Sequence, residues 1–157
     1  MANEILDKYG TSTAFTITLN ALAHSVVGVG RQSTLVDFSA VTEQWLEIYI
    51  KLTQGTNPTS NRACWLYWLK SDEHGTPHIT DGAGASDAAI TILNAPLLGS
   101  WTNDATAVDD EIIYGEALVR TPGGKAGVAV VHDTGVNLKA TDADHWVRYR
   151  PVTPEIQ

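Results

Sequence analysis

"QWLEIYIKL", residues 44–52, sets Leu46, Ile48, Ile50 and Leu52 at every second position, with Trp45, Glu47, Tyr49 and Lys51 between them. Successive side chains of a strand point to opposite faces, so four aliphatic residues share one side and a mixed aromatic and charged set shares the other. Ile, Trp and Tyr also favour the pleated backbone. The stretch predicts a strand with one face on a core and one toward solvent, the pattern of an antiparallel sheet.

The period of two recurs on either side. In "TAFTITL", 13–19, Thr13, Phe15, Ile17 and Leu19 alternate with Ala14, Thr16 and Thr18, and "QSTLVDF", 32–38, is rich in β-formers. "RACWLYWLK", 62–70, is apolar on both faces: Cys64, Leu66 and Trp68 on one, Trp65, Tyr67 and Leu69 on the other. One of those faces needs cover from a loop or another subunit. Further strands are expected at 90–98, 111–119, 127–133 and 145–150. The intervening stretches "TQGTNPTSN" (53–61), "SDEHGTPHITDGAGASDA" (71–88) and "RTPGGKAG" (120–127) are dense in turn-forming residues. With about eight strands, and no alternation with long helices, the fold class is all-β: an antiparallel two-sheet sandwich, jelly-roll-like. The opening "ANEILDKYG", 2–10, reads as a short helix stopped by Gly10 or as an extended arm. The chain therefore divides into an N-terminal arm, 1–10, and a single β-sandwich domain, 11–157.

A net charge of −8 repels phosphate backbones and anionic lipid, so neither nucleic acid nor a membrane surface is an expected partner. No stretch approaches the length of a membrane span. The polar, acidic opening lacks the basic, apolar, small-residue order of a secretory leader, and no signal peptide is expected. The one cysteine, Cys64, sits in an apolar run and reads as a small buried thiol.

Asp133-Thr134-Gly135 follows the apolar run "VAVVH" and has the form in which aspartic proteases present a carboxylate. That chemistry needs two facing copies sharing a proton. Too little chain follows Gly135 to supply the second half of such a fold, so a turn with Gly135 at positive φ is favoured. His74 and His78, beside Asp72, Glu73 and Asp81, are the densest ligand set. Gly75 and Pro77 forbid the helix that would align the two rings, which leaves a solvated hairpin tip as the working reading and an adventitious loop metal as the alternative. "DATAVDDE", 104–111, lacks the ordered spacing of a calcium loop and reads as an acidic turn. With no nucleophile elbow and no phosphate cradle in the sequence, no catalytic residue, metal or cofactor is expected.

Five Trp and five Tyr stand against two Phe, a balance suited to half-buried or shared surfaces. Trp68 is expected in the core. Trp65 and Tyr67 suit a core or an interface equally, Trp101 is a further interface candidate, and these rings with Trp45 and Trp68 could instead form a sugar-stacking platform; Ile5 and Leu6 are candidate apolar anchors of the arm.

The order of segments resembles small structural proteins of tailed bacteriophages, of the head decoration or cement type. The resemblance rests on a threonine-rich opening strand, "TSTAFTITLNALA", then "GVGRQSTLVD", a long hydrophobic strand, a glycine-rich loop with a Tyr- and Trp-rich strand, and a closing "GGKAGVAVVHDTGVNLKAT" before an aromatic last strand. It spans roughly residues 10–150 in loose strand-and-turn patterns, and His132 stands where Asn is more usual. The resemblance implies a virion component without enzymatic activity. It would assemble in the host cytoplasm, bind the major capsid protein and itself as a homo-dimer or homo-trimer, and lie on the capsid surface. A tail or fibre component, or a carbohydrate-binding receptor module, is the alternative.

Overall fold

The computed structural model describes residues 5–25, 28–71, 86–90, 92 and 95–156. Its strands are β1 (Ile5–Tyr9), β2 (Thr13–Ala14), β3 (Val29–Gln32), β4 (Val36–Asp37), β5 (Trp45–Thr53), β6 (Ala63–Lys70), β7 (Ala88–Ala89), β8 (Leu97–Thr102), β9 (Ile112–Arg120), β10 (Lys125–His132) and β11 (Trp146–Ile156). The only helical element among the described residues is a 3-10 turn, Asp142–Asp144. One sheet runs β1-β11-β5-β9, with β2 also on β11; the other runs β7-β3-β10-β6-β8, with β4 also on β10. The pairings nest. β6 pairs with β8, β5 with β9, β10 with β3 and β4, and β11 with β1 and β2, all antiparallel, and successive pairs fall in alternate sheets. This is the jelly roll, a long hairpin wound into a sandwich. Its eight positions equal the expected strands in number. The first two positions are each split in two, and β7 is a short addition at an edge.

Hydrogen-bond parity explains where the prolines of β11 fit. Gln54 N–H bonds Glu111 O and Thr121 N–H bonds Gln44 O, both at 2.9 Å and in the register of the β5–β9 ladder. The even residues of β5 therefore bond β9, and its odd residues bond the even residues of β11. Pro151 is odd, so its missing N–H faces β1, where its carbonyl still accepts from Gly10 N–H at 2.8 Å. Pro154 lies beyond Val152, the last partner of β5. Neither proline interrupts the central ladder.

Several expected elements move. The first segment is extended, not helical: Ile5–Tyr9 pairs along Val152–Ile156. The expected strand 13–19 keeps its alternation, with Phe15 and Leu19 buried, but only Thr13–Ala14 lies in a ladder. Phe15 N–H bonds Val147 O in one sheet, while Thr16 O accepts from Thr34 N–H next to the other, so the chain here crosses between sheets. Of the strand expected at 90–98, Leu97 and Leu98 open β8, while Ile90, Ile92 and Ala95 pack on the outer face of β6; residues 91, 93 and 94 lie outside the described residues. The residues 72–85, with His74, His78 and their acidic neighbours, lie outside the described residues.

Leu46, Ile48, Ile50 and Leu52 are all fully buried, as are Cys64, Leu66, Val128 and Val130 from the facing sheet. At one end Phe15, Phe38, Trp68 and Tyr149 form an aromatic cluster, with Tyr149 centred 5.0 Å from each Phe ring. Such tilted and edge-on pairs add about 1 kcal/mol each beyond their burial. Burial pushes the Cys64 thiol up to about 12, which makes it a packing residue and not a nucleophile at neutral pH. Outside this core Leu69, Ala129, Val131 and Ile90 form a second cluster on the far face of the β6 sheet.

Asp133-Thr134-Gly135 is a turn. Asp133 pairs with Arg62 at 3.1 Å, and Thr134 is buried with its hydroxyl 3.1 Å from Val136 O. Gly135 has φ +81°, and a Cβ there would sit 2.2 Å from Thr59 Oγ1, so only glycine fits. The neighbouring His132 is fully buried, its Nε2–H donating to Leu22 O at 2.9 Å and Nδ1 3.0 Å from the Thr134 hydroxyl. Burial lowers this imidazole to about 4, against the Leu22 hydrogen bond, which favours the charged form. Since the unfolded ring titrates near 6.5, only the unfolded state gains a proton between pH 6.5 and about 4. The stability that rests on the neutral ring is complete above that window and is lost as pH falls through it, by about 3 kcal/mol at the lower limit. In chemical denaturation at stepped pH, His132→Gln is expected to flatten the decline by one proton's worth of slope.

Candidate functional site

The outward residues of β9, β5 and β11 form four cross-strand rows on the five-stranded sheet: Tyr114, Lys51 and Trp146; Glu116, Tyr49 and Arg148; Leu118, Glu47 and Arg150; Arg120, Trp45 and Val152, the last extended by Tyr9 of β1. Tyr114 is 62% exposed and Leu118 59%, and Tyr9, Trp45 and Ile112 are also exposed. An isolated exposed apolar residue needs no explanation, but a face combining five aromatic residues with Leu118 and Ile112 is suited to contact with another surface.

The face is also fixed in shape. Arg150 donates from Nε to Glu47 Oε2 at 3.0 Å and from a terminal nitrogen to the Tyr49 hydroxyl at 2.9 Å, while Tyr49 donates its own proton to Glu47. The guanidinium lies 4.0 Å from the centre of the Tyr9 ring, tying β1 onto the same group with a contact of about 0.5–1 kcal/mol. Burial acts to raise the Glu47 carboxyl, but the bonds from Tyr49 and Arg150 and the Arg150 charge outweigh it and hold the group below its ordinary value. The Glu47 hydrogen bond raises the Tyr49 phenol further, so it stays a donor. Charge and hydroxyl here serve to hold aromatic rings.

Beside this cluster is a shallow cleft of ≈ 360 Å³ lined by Tyr49, Ile50, Trp101, Tyr114, Gly115, Glu116 and Trp146. The Tyr114 and Trp146 rings are 6.5 Å apart and inclined at 53°. Trp101 comes from β8 in the other sheet and closes the gap between the two sheet edges. It fits because two neighbours lack side chains: a Cβ on Gly115 would lie 2.2 Å from the indole, and one on Gly99 2.5 Å.

The interface candidates of the sequence fall in three places. Ile5 stands opposite Ile156 at the end of β1, and Leu6 beside it is 46% exposed. Trp65 and Tyr67 are half-buried on the outer face of the β6 sheet, against the cluster of Leu69 and Ile90 together with Ile92 and Ala95. The chain's own connection thus covers part of the face that called for a loop or a subunit. Trp101 is half-buried against the main core and borders the cleft. Sequence reasoning missed Tyr114 and Trp146, although both sit at outward positions of strands it expected. Nothing local marked the two as neighbours, because Lys51 of a third strand stands between them.

The acids of 104–111 are engaged in bonds within the loop and to neighbouring segments. Glu111 accepts from Asp104 N–H at 2.7 Å, Asp109 from Asn57 N–H at 2.7 Å, and Asp110 pairs with Lys139 at 2.9 Å. No cluster of three or more His, Cys, Asp or Glu residues suited to a metal occurs among the described residues.

No family model matches this chain, and no curated protein matches it.

Gly115→Ala is expected to displace the Trp101 indole. The variant should show a changed tryptophan emission maximum and a free energy of unfolding lowered by about 1–3 kcal/mol in chemical denaturation, the usual cost of overpacking. Unchanged emission and stability would show that the indole does not occupy this gap.

Proposed function

We propose that this chain is a non-enzymatic structural protein of a tailed-phage particle, a decoration protein that binds the major capsid lattice on the outside of the head. The observation that carries the reading is the outer face of the β1-β11-β5-β9 sheet, where Tyr114, Leu118, Trp45 and Tyr9 are exposed on a frame held rigid by Glu47, Tyr49 and Arg150. Little of this face is needed to close the core, and the Tyr9 and Tyr49 rings, already held by Arg150, lose little entropy on docking. The order of segments, with the threonine-rich opening and the "GGKAGVAVVHDTGVNLKAT" close, supports the same reading by resemblance. Such a protein works by avidity. Each contact to a capsomer is modest, and several made together by one oligomer hold neighbouring capsomers against internal pressure.

The test is co-sedimentation of the purified protein with empty heads of a tailed phage whose genome encodes it. Stoichiometric pelleting, lost in Tyr114→Ala/Leu118→Ser, is the expected result. No pelleting with heads would sink the reading.

A second reading, a glycan-binding module on a tail or fibre, is favoured by the cleft, since Tyr49, Tyr114 and Trp146 offer ring faces beside the Glu116 carboxylate. It predicts that neutral polysaccharide quenches tryptophan fluorescence in the wild type and not in Trp146→Ala. Equal quenching in both would exclude the cleft as the glycan site.

A further inference from the structure

β9 is the free edge of its sheet: it pairs with β5, and among the described residues no strand is hydrogen-bonded to its other side, β8 of the facing sheet packing beside it through Trp101. The Thr121 to Gln44 and Gln54 to Glu111 bonds show that the odd residues of β9 are bonded to β5. The N–H and C=O groups of Ile112, Tyr114, Glu116, Leu118 and Arg120 therefore point away from the sheet. Nine residues of open ladder with alternate apolar side chains form a template for another strand.

The side chains along this edge are self-complementary. Glu116 and Arg120 flank Leu118 at equal distance in sequence, and all three are exposed. Neither charge has an ion-pair partner among the described residues. We infer that β9 pairs antiparallel with β9 of a second copy of this chain about a twofold axis through Leu118. In that register Leu118 meets its own counterpart, and Glu116 of each copy stands opposite Arg120 of the other, an arrangement an isologous interface requires on both sides of its axis.

Other registers fail on charge. Centring on Glu116 opposes two carboxylates, centring on Arg120 opposes two guanidiniums, and centring on Ala117 sets Glu116 against Leu118. Only the Leu118 centre satisfies both charges and keeps outward-pointing backbone groups opposite one another. It also ends naturally, because the next outward position after Arg120 is Pro122, which has no N–H to donate. The result is one continuous sheet through two copies, with both aromatic faces on its surface.

This deepens the self-association part of the proposed function, but its test needs no capsid. The full chain is measured by sedimentation velocity over a wide concentration range, alone and as charge variants at exposed positions. The wild type is expected to dimerise. Glu116→Arg and Arg120→Glu, each alone, create like-charge pairs and are expected to weaken the dimer by about tenfold or more, given two cross-strand pairs. The double variant is expected to dimerise again, and so is an equimolar mixture of the two single variants, because each then supplies the charge the other lacks. A wild type that stays monomeric, or a dimer indifferent to these reversals, would overturn the inference. Either result leaves head co-sedimentation to decide the decoration reading separately.

Discussion

Two pairings between distant parts of the chain hold the molecule together: β5 with β11, and β6 with β10. Each central strand is bonded on both sides, and the two sheets meet through the side chains of these four strands, Ile48 and Ile50 against Leu66, Val128 and Val130. Because the pairs nest, β11 reaches its place only after most of the sequence has been made. The entropy of closing such loops is offset late, by burial of the shared core, so the fold is governed by non-local contacts.

The same ladders dictate which departures from regular structure are tolerated. Pro151 and Pro154 stand where no ladder hydrogen bond to β5 is lost, and the turn after β10 closes around a glycine at positive φ and a buried His132-Thr134 pair. Gly115 and Gly99 make room for one indole between the sheet edges. At Gly99, Gly115 and Gly135 a neighbouring side chain leaves no room for another, whereas the prolines are tolerated because they interrupt no bond to β5.

The two sheets treat their outer faces differently. The β6 sheet, apolar on both sides, is partly covered by the chain's own connection through Ile90 and Ile92. The β5 sheet keeps its outer face open, with the rings of Tyr9 and Tyr49 held by Arg150. Rings fixed beforehand cost less entropy on docking than rings left free.

By itself the sequence determined the all-β class, the main strands and the inward set of β5. These follow from a period of two that the backbone imposes on every strand. It also showed that Asp133-Thr134-Gly135 is a turn and that Cys64 is a packing residue. It misjudged 13–19, where the alternation is real but the chain changes its ladder partner after Ala14. Apolar periodicity reports burial, and burial does not require a paired strand. Only the tertiary structure decided that Tyr114 and Trp146 share a cleft, that Arg150 joins Tyr9 to Glu47, and that Glu116, Leu118 and Arg120 line an open edge. Those relations depend on strand order and hydrogen-bond parity, which are set between segments far apart in the chain and carry no local signature.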